Sequence, residues 1–352
     1  MQPALKSLLI YTILAISFGF ASAGVDCKGG EKGSNVAYTI TVDQSSNQHR
    51  TVQSAINSIP ADNNQWIKIH IKPGTYTEQL HIPVDKPCIF LEGEGRSVTK
   101  ITYNDHQRTD TSATFSSFPD NLVVKGITFE NSYNLAEELQ EALVVEGNTD
   151  SGTLQAGEDM TQALAARIYG DKSAFYECGF LGVQDTLWDV QGRHFFKNCY
   201  IEGAVDFIFG NGQSVYEDCL IHSTAGSVLT RGLAGFITAQ KRQSANDPGG
   251  FVFRRGVVSG IGQTYLGRAY GPYSRVIFYE TQLSSVVSPP GWDAWNFQGK
   301  EANFVYAEIN CKGPGSDQSN RVSWEKKFDS RQMYQFSTSF FINQDGWLSN
   351  LP

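Results

Sequence analysis

Hydrophobic positions fall into contrasting patterns along the chain, and each pattern predicts a different element. Leu8 to Phe20 is an almost unbroken apolar run that follows Lys6 and precedes Ala21-Ser22-Ala23. A basic start, an apolar stretch of about 13 residues and an A-x-A site mark a secretory signal peptide over 1–23, too short for a membrane span. Between Thr51 and Pro60, Val52, Ala55, Ile56 and Ile59 recur at i, i+3, i+4 and i+7, the stripe of a short amphipathic helix. From Trp66 to Lys72 the period changes to two, with Ile67, Ile69 and Ile71 on one face and Pro73-Gly74 ending the strand.

Beyond this point the pattern repeats. Phe-Tyr-Glu-Cys at 175, Phe-Lys-Asn-Cys at 196 and Tyr-Glu-Asp-Cys at 216 each place an aromatic residue, two polar residues and a small residue before alternating apolar positions. The theme returns at Phe253-Arg254-Arg255-Gly256-Val257-Val258 and Phe278-Tyr279-Glu280-Thr281-Gln282-Leu283, with an earlier copy at Val123 to Phe129. Cys178 to Cys199 is 21 residues and Cys199 to Cys219 is 20. Short strands at a period of roughly 20 to 25 residues, divided by Gly, Asn and Asp turns, predict coils stacked as a solenoid. A leucine-rich repeat lacks its L-x-x-L-x-L frame here, and a propeller blade needs about 40 residues. The expected fold is therefore all-β, a parallel β-helix with short capping helices, the stripe at 51–60 closing one open end. No low-complexity linker interrupts residues 36 to 350, so residues 24–352 read as a single domain.

Composition narrows the functional classes. With 40% hydrophobic, 12% aromatic and 18% charged residues, the chain can bury a large core and is not disordered. Its net charge of −8, without a Lys/Arg cluster, excludes nucleic acid as a partner. No second spanning run follows the leader, so no membrane association is expected, and no oligomerisation signal departs from a monomer. All six cysteines follow the cleavage site, and export to an oxidising compartment favours disulfides. Stacked coils bring Cys199 and Cys219 within the Cα range of a bridge, about 4.4 to 6.8 Å, which makes them the expected pair.

The acidic residues that break the repeat carry the chemistry. Asp185 in Gln184-Asp185-Thr186-Leu187 and Asp206 in Asp206-Phe207-Ile208-Phe209-Gly210 are 21 residues apart, the offset of one coil. Parallel strands lie about 4.8 Å apart, so the two carboxyls are expected side by side, with one pKa raised and an acid facing a base. Gln162, 22 residues before Gln184, falls on the same patch. Arg268 stands 10 residues before Phe278, as Asp206 stands 10 before Tyr216, so a guanidinium is expected level with the acids. Taken singly, each is an ordinary turn or surface residue; their common register is what groups them. An Arg-held carboxylate can act as a nucleophile. A protonated neighbour can serve a leaving group and then activate water, and glutamine N–H groups can stabilise an oxyanion. The set suits ester hydrolysis and calls for no cofactor or metal.

At these residues the sequence resembles the pectinesterase (pectin methylesterase) family, particularly the plant enzymes. The motifs run in family order: Gly74-Thr75-Tyr76-Thr77-Glu78, Gln162 to Arg167, Gln184 to Leu187, Asp206 to Gly210, Leu266-Gly267-Arg268 and Pro290-Gly291-Trp292. The resemblance implies a right-handed parallel β-helix that hydrolyses methyl esters of homogalacturonan in the plant cell wall or apoplast. It implies Asp206 as nucleophile, Asp185 as general acid and then base, Gln162 and Gln184 on the oxyanion side, and Arg268 orienting Asp206. It adds a proteinaceous pectinesterase inhibitor as a candidate partner beside methyl-esterified pectin. Family members usually continue Leu-Gly-Arg with Pro-Trp, whereas this chain has Ala269-Tyr270, so altered substrate affinity is expected there. Many plant members carry an inhibitory pro-region, and the catalytic region here begins too soon after Ala23 to accommodate one.

Sugar rings pack their C–H faces on aromatic side chains, which nominates Phe209, Tyr270, Trp292, Trp188 and Trp295 as groove residues, alongside Arg268 and Gln162. His194 lies near Asp185 in sequence but has no serine or cysteine partner, and no G-x-S-x-G occurs. Two rival readings use the same scaffold. One is a Ca²⁺-dependent pectate lyase-like enzyme, with Asp185 and Asp206 as ligands. The other is a non-catalytic cell-wall polysaccharide-binding protein, whose signature would be a lost Asp or Arg.

Overall fold

The computed structural model describes residues 27–28, 35–135, 160–229 and 232–352; the leader expected over 1–23 lies outside them. Among the described residues the strands form three parallel sheets. A ten-stranded sheet runs from Tyr38–Val42 to Val305–Ile309, and two eight-stranded sheets run from Gly74–Thr77 to Gln282–Leu283 and from Leu80–Ile82 to Trp292–Asp293. Each coil contributes one strand to each sheet, giving the right-handed parallel β-helix that parallel crossovers favour. Coil offsets are 21 residues at Phe175↔Phe196 and 20 at Phe196↔Tyr216. Several coils exceed the expected period, most of all those with offsets of 51 at Lys125↔Tyr176 and 37 at Tyr216↔Phe253.

The polar pair in each repeat makes the corner between two sheets. Its second residue takes the left-handed backbone conformation at Glu177, Asn198, Asp218, Arg255 and Glu280, with φ between 53° and 56°. At Lys125-Gly126 the same corner uses glycine at φ 66°, where no Cβ opposes it. Sheet pairing fixes the corner so firmly that side chains other than Gly and Asn accept the strain.

Inside the corner, equivalent residues stack. Phe175, Phe196, Tyr216, Phe253 and Phe278 form one column of rings with centroid spacings of 4.9, 4.5, 4.6 and 4.5 Å. Each is buried, contributing about 1.5–3 kcal/mol by removal from water. Cys178, Cys199 and Cys219 form a neighbouring column, and the expected Cys199–Cys219 bridge is absent because both thiols are free. In-register strands hold their Cβ vectors parallel, whereas a disulfide needs them convergent. Instead the thiols of Cys199 and Cys219 each contact a carbonyl of the preceding coil, Phe175 O and Phe196 O, at 3.5 Å. The disulfide joins Cys27 to Cys88 and ties the amino-terminal segment to the first coils.

One end and one flank of the solenoid are covered. The helix predicted near 51–60 spans Val52–Ser58, with Thr51 as N-cap and Val52, Ala55, Ile56 and Ile59 buried over the first coil. The predicted strand is Ile67–Ile71, its three isoleucines inward. On the outer face of the ten-stranded sheet, Met333, Phe336, Phe341, Ile342 and Trp347 pack against Phe195, Val215, Val252 and Ile277. That second core leaves the sheet containing Leu187–Asp189 and Val205–Gly210 as the face where the acids lie. No helix among the described residues is long and apolar enough to cross a membrane.

Candidate active site

Leu187 pairs with Ile208, and Gln184 bridges Val205, so Asp185 and Asp206 stand level on adjacent coils as the 21-residue offset predicts. Both have left-handed backbones, φ 63° at Asp185 and φ 49° at Asp206, in a region aspartate tolerates better than most side chains. At Asp206 the ladder to the next strand also slips. Val205 pairs with Phe236 and Ile208 with Thr238, leaving Asp206 and Phe207 opposite one residue. This bulge turns Phe207 into the core and re-aims Asp206 outward from it.

Arg268 reaches Asp206 with two hydrogen bonds, Nε to Oδ1 at 2.8 Å and Nη2 to Oδ2. Its backbone, however, is not level with Asp206. The ladder runs Phe209↔Ala239↔Arg268, so Arg268 stands opposite Phe209 and its long side chain reaches back. The equal count of 10 residues reflected unequal turns, since Phe209 to Tyr216 takes 7 residues and Arg268 to Phe278 takes 10.

The carboxyls are nearly inaccessible, Asp185 9% and Asp206 8% exposed, but electrically unequal. Burial, with the Asp206 charge beside it, pushes Asp185 up to about 8, against a weaker opposing pull from Arg268. Burial raises Asp206 as well, but there the hydrogen-bonded guanidinium offsets it directly. Asp206 is therefore the member that ionises first, and Asp185 retains its proton. Among the described residues no group of three or more His, Cys, Asp or Glu side chains is placed to hold a metal ion.

The glutamines border this pair. Gln184 is half-buried and Gln162 exposed, and neither carboxamide has a hydrogen-bond partner among the described residues. The offset at Ala166↔Leu187 is 21, so Ala163 rather than Gln162 is level with Gln184, and its N–H donates to Gln184 O at 3.2 Å. Gln162 sits one residue before that position.

The aromatic candidates separate into two groups. Trp292 is 1% exposed and stacks on Tyr306 at 4.5 Å inside the core, so it offers no face to a sugar; residue type alone does not tell inward from outward on a solenoid. Phe209 is also buried, beneath Trp188, with their rings 5.3 Å apart. Trp188 and Trp295 are half-exposed and Tyr270 is exposed, with Tyr270 stacked on Trp295 at 5.8 Å. His194 is fully buried, its Nδ1 2.6 Å from Asp189 Oδ1 and its Nε2 2.9 Å from Gly170 O, while Tyr216 donates to the other Asp189 oxygen. Burial alone would lower its pKa, but the Asp189 carboxylate and the Gly170 carbonyl outweigh burial and raise it. Its two ring nitrogens are both engaged inside the core, away from Asp185 and Asp206.

Phe236 lies outside the motifs, and Arg167, which ends the Gln162 to Arg167 motif, carried no role there. Arg167 lies over the rings of Trp188, Tyr169 and Phe118 at 4.8, 4.9 and 5.4 Å, and Phe236 lies against Arg268. Only three-dimensional register brings these residues together.

The pectinesterase family model matches residues 38–155 and 152–345. The chain belongs to the pectinesterase family. The pectinesterase is 46% identical to probable pectinesterase 29 of Arabidopsis thaliana, over 89% of each chain. It is equally identical, 46%, to probable pectinesterase 55 of that plant, over 90% of this chain and 91% of the relative. Among solved structures it matches pectin methylesterase from carrot with TM-score 0.77 and 30% identity, covering 92% of this chain and 97% of that one. The Aspergillus niger pectin methylesterase follows with TM-score 0.73 and 25% identity, over 93% and 99% of the two chains. The protein is a carboxylic ester hydrolase by this membership.

Proposed function

We propose that this pectinesterase removes methyl groups from homogalacturonan in the cell wall, with Asp206 as nucleophile and Asp185 as general acid and base. One observation carries the reading. Two adjacent buried aspartates share a single guanidinium, which is hydrogen-bonded to Asp206 alone. In the first half-reaction the Asp206 carboxylate attacks the ester carbonyl carbon, and the bond from that carbon to the methoxy oxygen breaks. Asp185 donates its proton to the departing oxygen, and methanol leaves. In the second half-reaction Asp185, now a carboxylate, takes a proton from water as the water oxygen attacks the acyl carbon. The product carboxyl leaves and Asp206 is regenerated. The free N–H groups of Gln162 and Gln184 are the donors proposed for the oxyanion in both halves.

Trp188 and Tyr270, with their partly open rings, are the proposed sugar platform. The leader-like start of the sequence supports export to the wall, where methyl-esterified pectin is the partner. Incubation of the protein with highly methylated pectin in the presence of EDTA tests the reading. Methanol without unsaturated uronide absorbance is expected. Absorbance abolished by EDTA would instead indicate a lyase, and neither signal would indicate a binding protein.

A further inference from the structure

The guanidinium that holds Asp206 is itself flanked by two aromatic rings. Its central carbon lies 4.5 Å from the Phe236 ring centroid and 4.3 Å from that of Trp295. Each of these rings is backed by another. Tyr265, the register partner of Phe236 on the next strand, stacks on it at 5.2 Å and 11°. Tyr270 stacks on Trp295 at 5.8 Å and 24°, and the Lys241 ammonium lies 5.0 Å over Tyr270. Trp295 is fixed through its backbone as well. Its N–H donates to Asp293 Oδ1 at 2.8 Å, and it adopts φ 44°, a left-handed conformation that a bulky residue holds only when its surroundings impose it.

We propose that Phe236 and Trp295 are positioning residues for the esterase reaction, clamping the Arg268 guanidinium so that its donor edge stays aimed at Asp206. The proposal rests on the reading of Asp206 as nucleophile. A guanidinium is planar, and its N–H donors lie in that plane. The two flanking rings displace water from the guanidinium and each adds a cation–π attraction, while the edge that carries the Nε–H and Nη2–H meets the two Asp206 oxygens. An unclamped arginine, with several rotatable bonds, would spend part of its time away from the acid. Asp206 would then meet the cost of its burial with less counterweight and take up a proton more readily.

The groups around Asp206 make this specific. Burial opposes its ionisation and Arg268 favours it, while Asp185 on the preceding coil and the buried Tyr306 hydroxyl both feel its charge. Asp293 stands opposite Arg268 on the following strand, yet forms no ion pair with it and binds the Trp295 N–H instead. The cation is thus left undivided for Asp206.

The test uses the full-length protein with Phe236→Leu and Trp295→Leu, and with Phe236→Tyr and Trp295→Phe, which keep a ring face. Two quantities are read: kcat and KM for a methyl-esterified oligogalacturonide from pH 4 to 9, and the Asp206 carboxyl titration by carbon NMR. In the leucine variants kcat should fall roughly ten- to a hundredfold, with its acidic limb moved to higher pH and the Asp206 titration moved the same way. The ring-keeping variants should restore both. A rise in KM alone, with kcat, the acidic limb and the titration unchanged, would show that the rings serve only as a sugar platform and would overturn the clamp. If the wild-type protein released no methanol, the esterase reading would fall, and the titration would still decide the clamp: an upward shift in the leucine variants upholds it, and no shift overturns it.

Discussion

Arg268 binds both carboxylate oxygens of Asp206 across 62 residues of sequence, while Asp185, level with Asp206 on the neighbouring coil, has no cation of its own. That inequality gives two chemically identical side chains different proton affinities, the basis of the roles proposed for them.

The pH profile follows from it. In the proposed mechanism Asp185, pushed up to about 8, must keep its proton to serve the leaving methoxy group. Activity is therefore expected to fall on the alkaline side with a limb near pH 8, and on the acid side as Asp206 takes up a proton. An initial-rate profile of kcat that stayed flat from pH 7 to 10 would contradict the assignment of Asp185.

Holding Asp185 in this site has a cost in stability. Its folded-state pKa lies above the ordinary aspartate value of about 3.9, so the folded chain binds more protons than the unfolded one between these pH values, and stability falls as pH rises through that window. Asp185→Asn should be inactive yet melt at a higher temperature than wild type at pH 7, and the gain should vanish near pH 4. Calorimetry at the two pH values measures both parts.

The buried pair of His194 and Asp189 supports the fold beside the site. His194→Gln removes one partner of this buried hydrogen-bonded pair and should cost about 3–5 kcal/mol. Adding Asp189→Asn should recover much of that loss, because no unpaired acid is then left buried. Urea unfolding of the two single variants and the double variant reads this directly, and additive losses would refute the pairing.

Much of this architecture could be read along the chain. The aromatic, two polar residues and a small one recur because each coil turns the same corner with a left-handed second polar residue, as at Glu177, Asn198 and Asp218. The acid pair was legible for the same reason, since both its spacing and that of Cys178 and Cys199 equal one coil. What counting could not supply was anything set by turn length or side-chain direction. Arg268 matched Asp206 in count but is level with Phe209, and the bulge at Asp206 leaves no mark in the sequence. Cys199 and Cys219 are neighbours whose side chains run parallel, and Trp292 faces the core although its motif suggested the groove.

The cysteine arrangement is testable without activity. Peptide mapping under non-reducing conditions should recover Cys27 joined to Cys88, with Cys178, Cys199, Cys219 and Cys311 as thiols. Closing a loop of 61 residues predicts a stabilisation of about 4 kcal/mol from the restricted unfolded chain. Cys88→Ser should lower the melting midpoint accordingly, and an unchanged midpoint would count against it.

Core and groove aromatics should respond differently. Trp292→Ala empties a fully buried site and should cost about 3–5 kcal/mol, whereas Tyr270→Ala, at an exposed position, should leave the melting midpoint near that of wild type and raise KM. A Trp292→Ala protein as stable as wild type would contradict the packing against Tyr306.

The most direct test of the central claim is methanol release from highly methylated pectin by Asp206→Asn, compared with wild type at equal concentration and with matching circular dichroism. The account predicts a folded protein that releases no methanol above background, because an amide cannot replace the carboxylate nucleophile. Methanol release at the wild-type rate would contradict it.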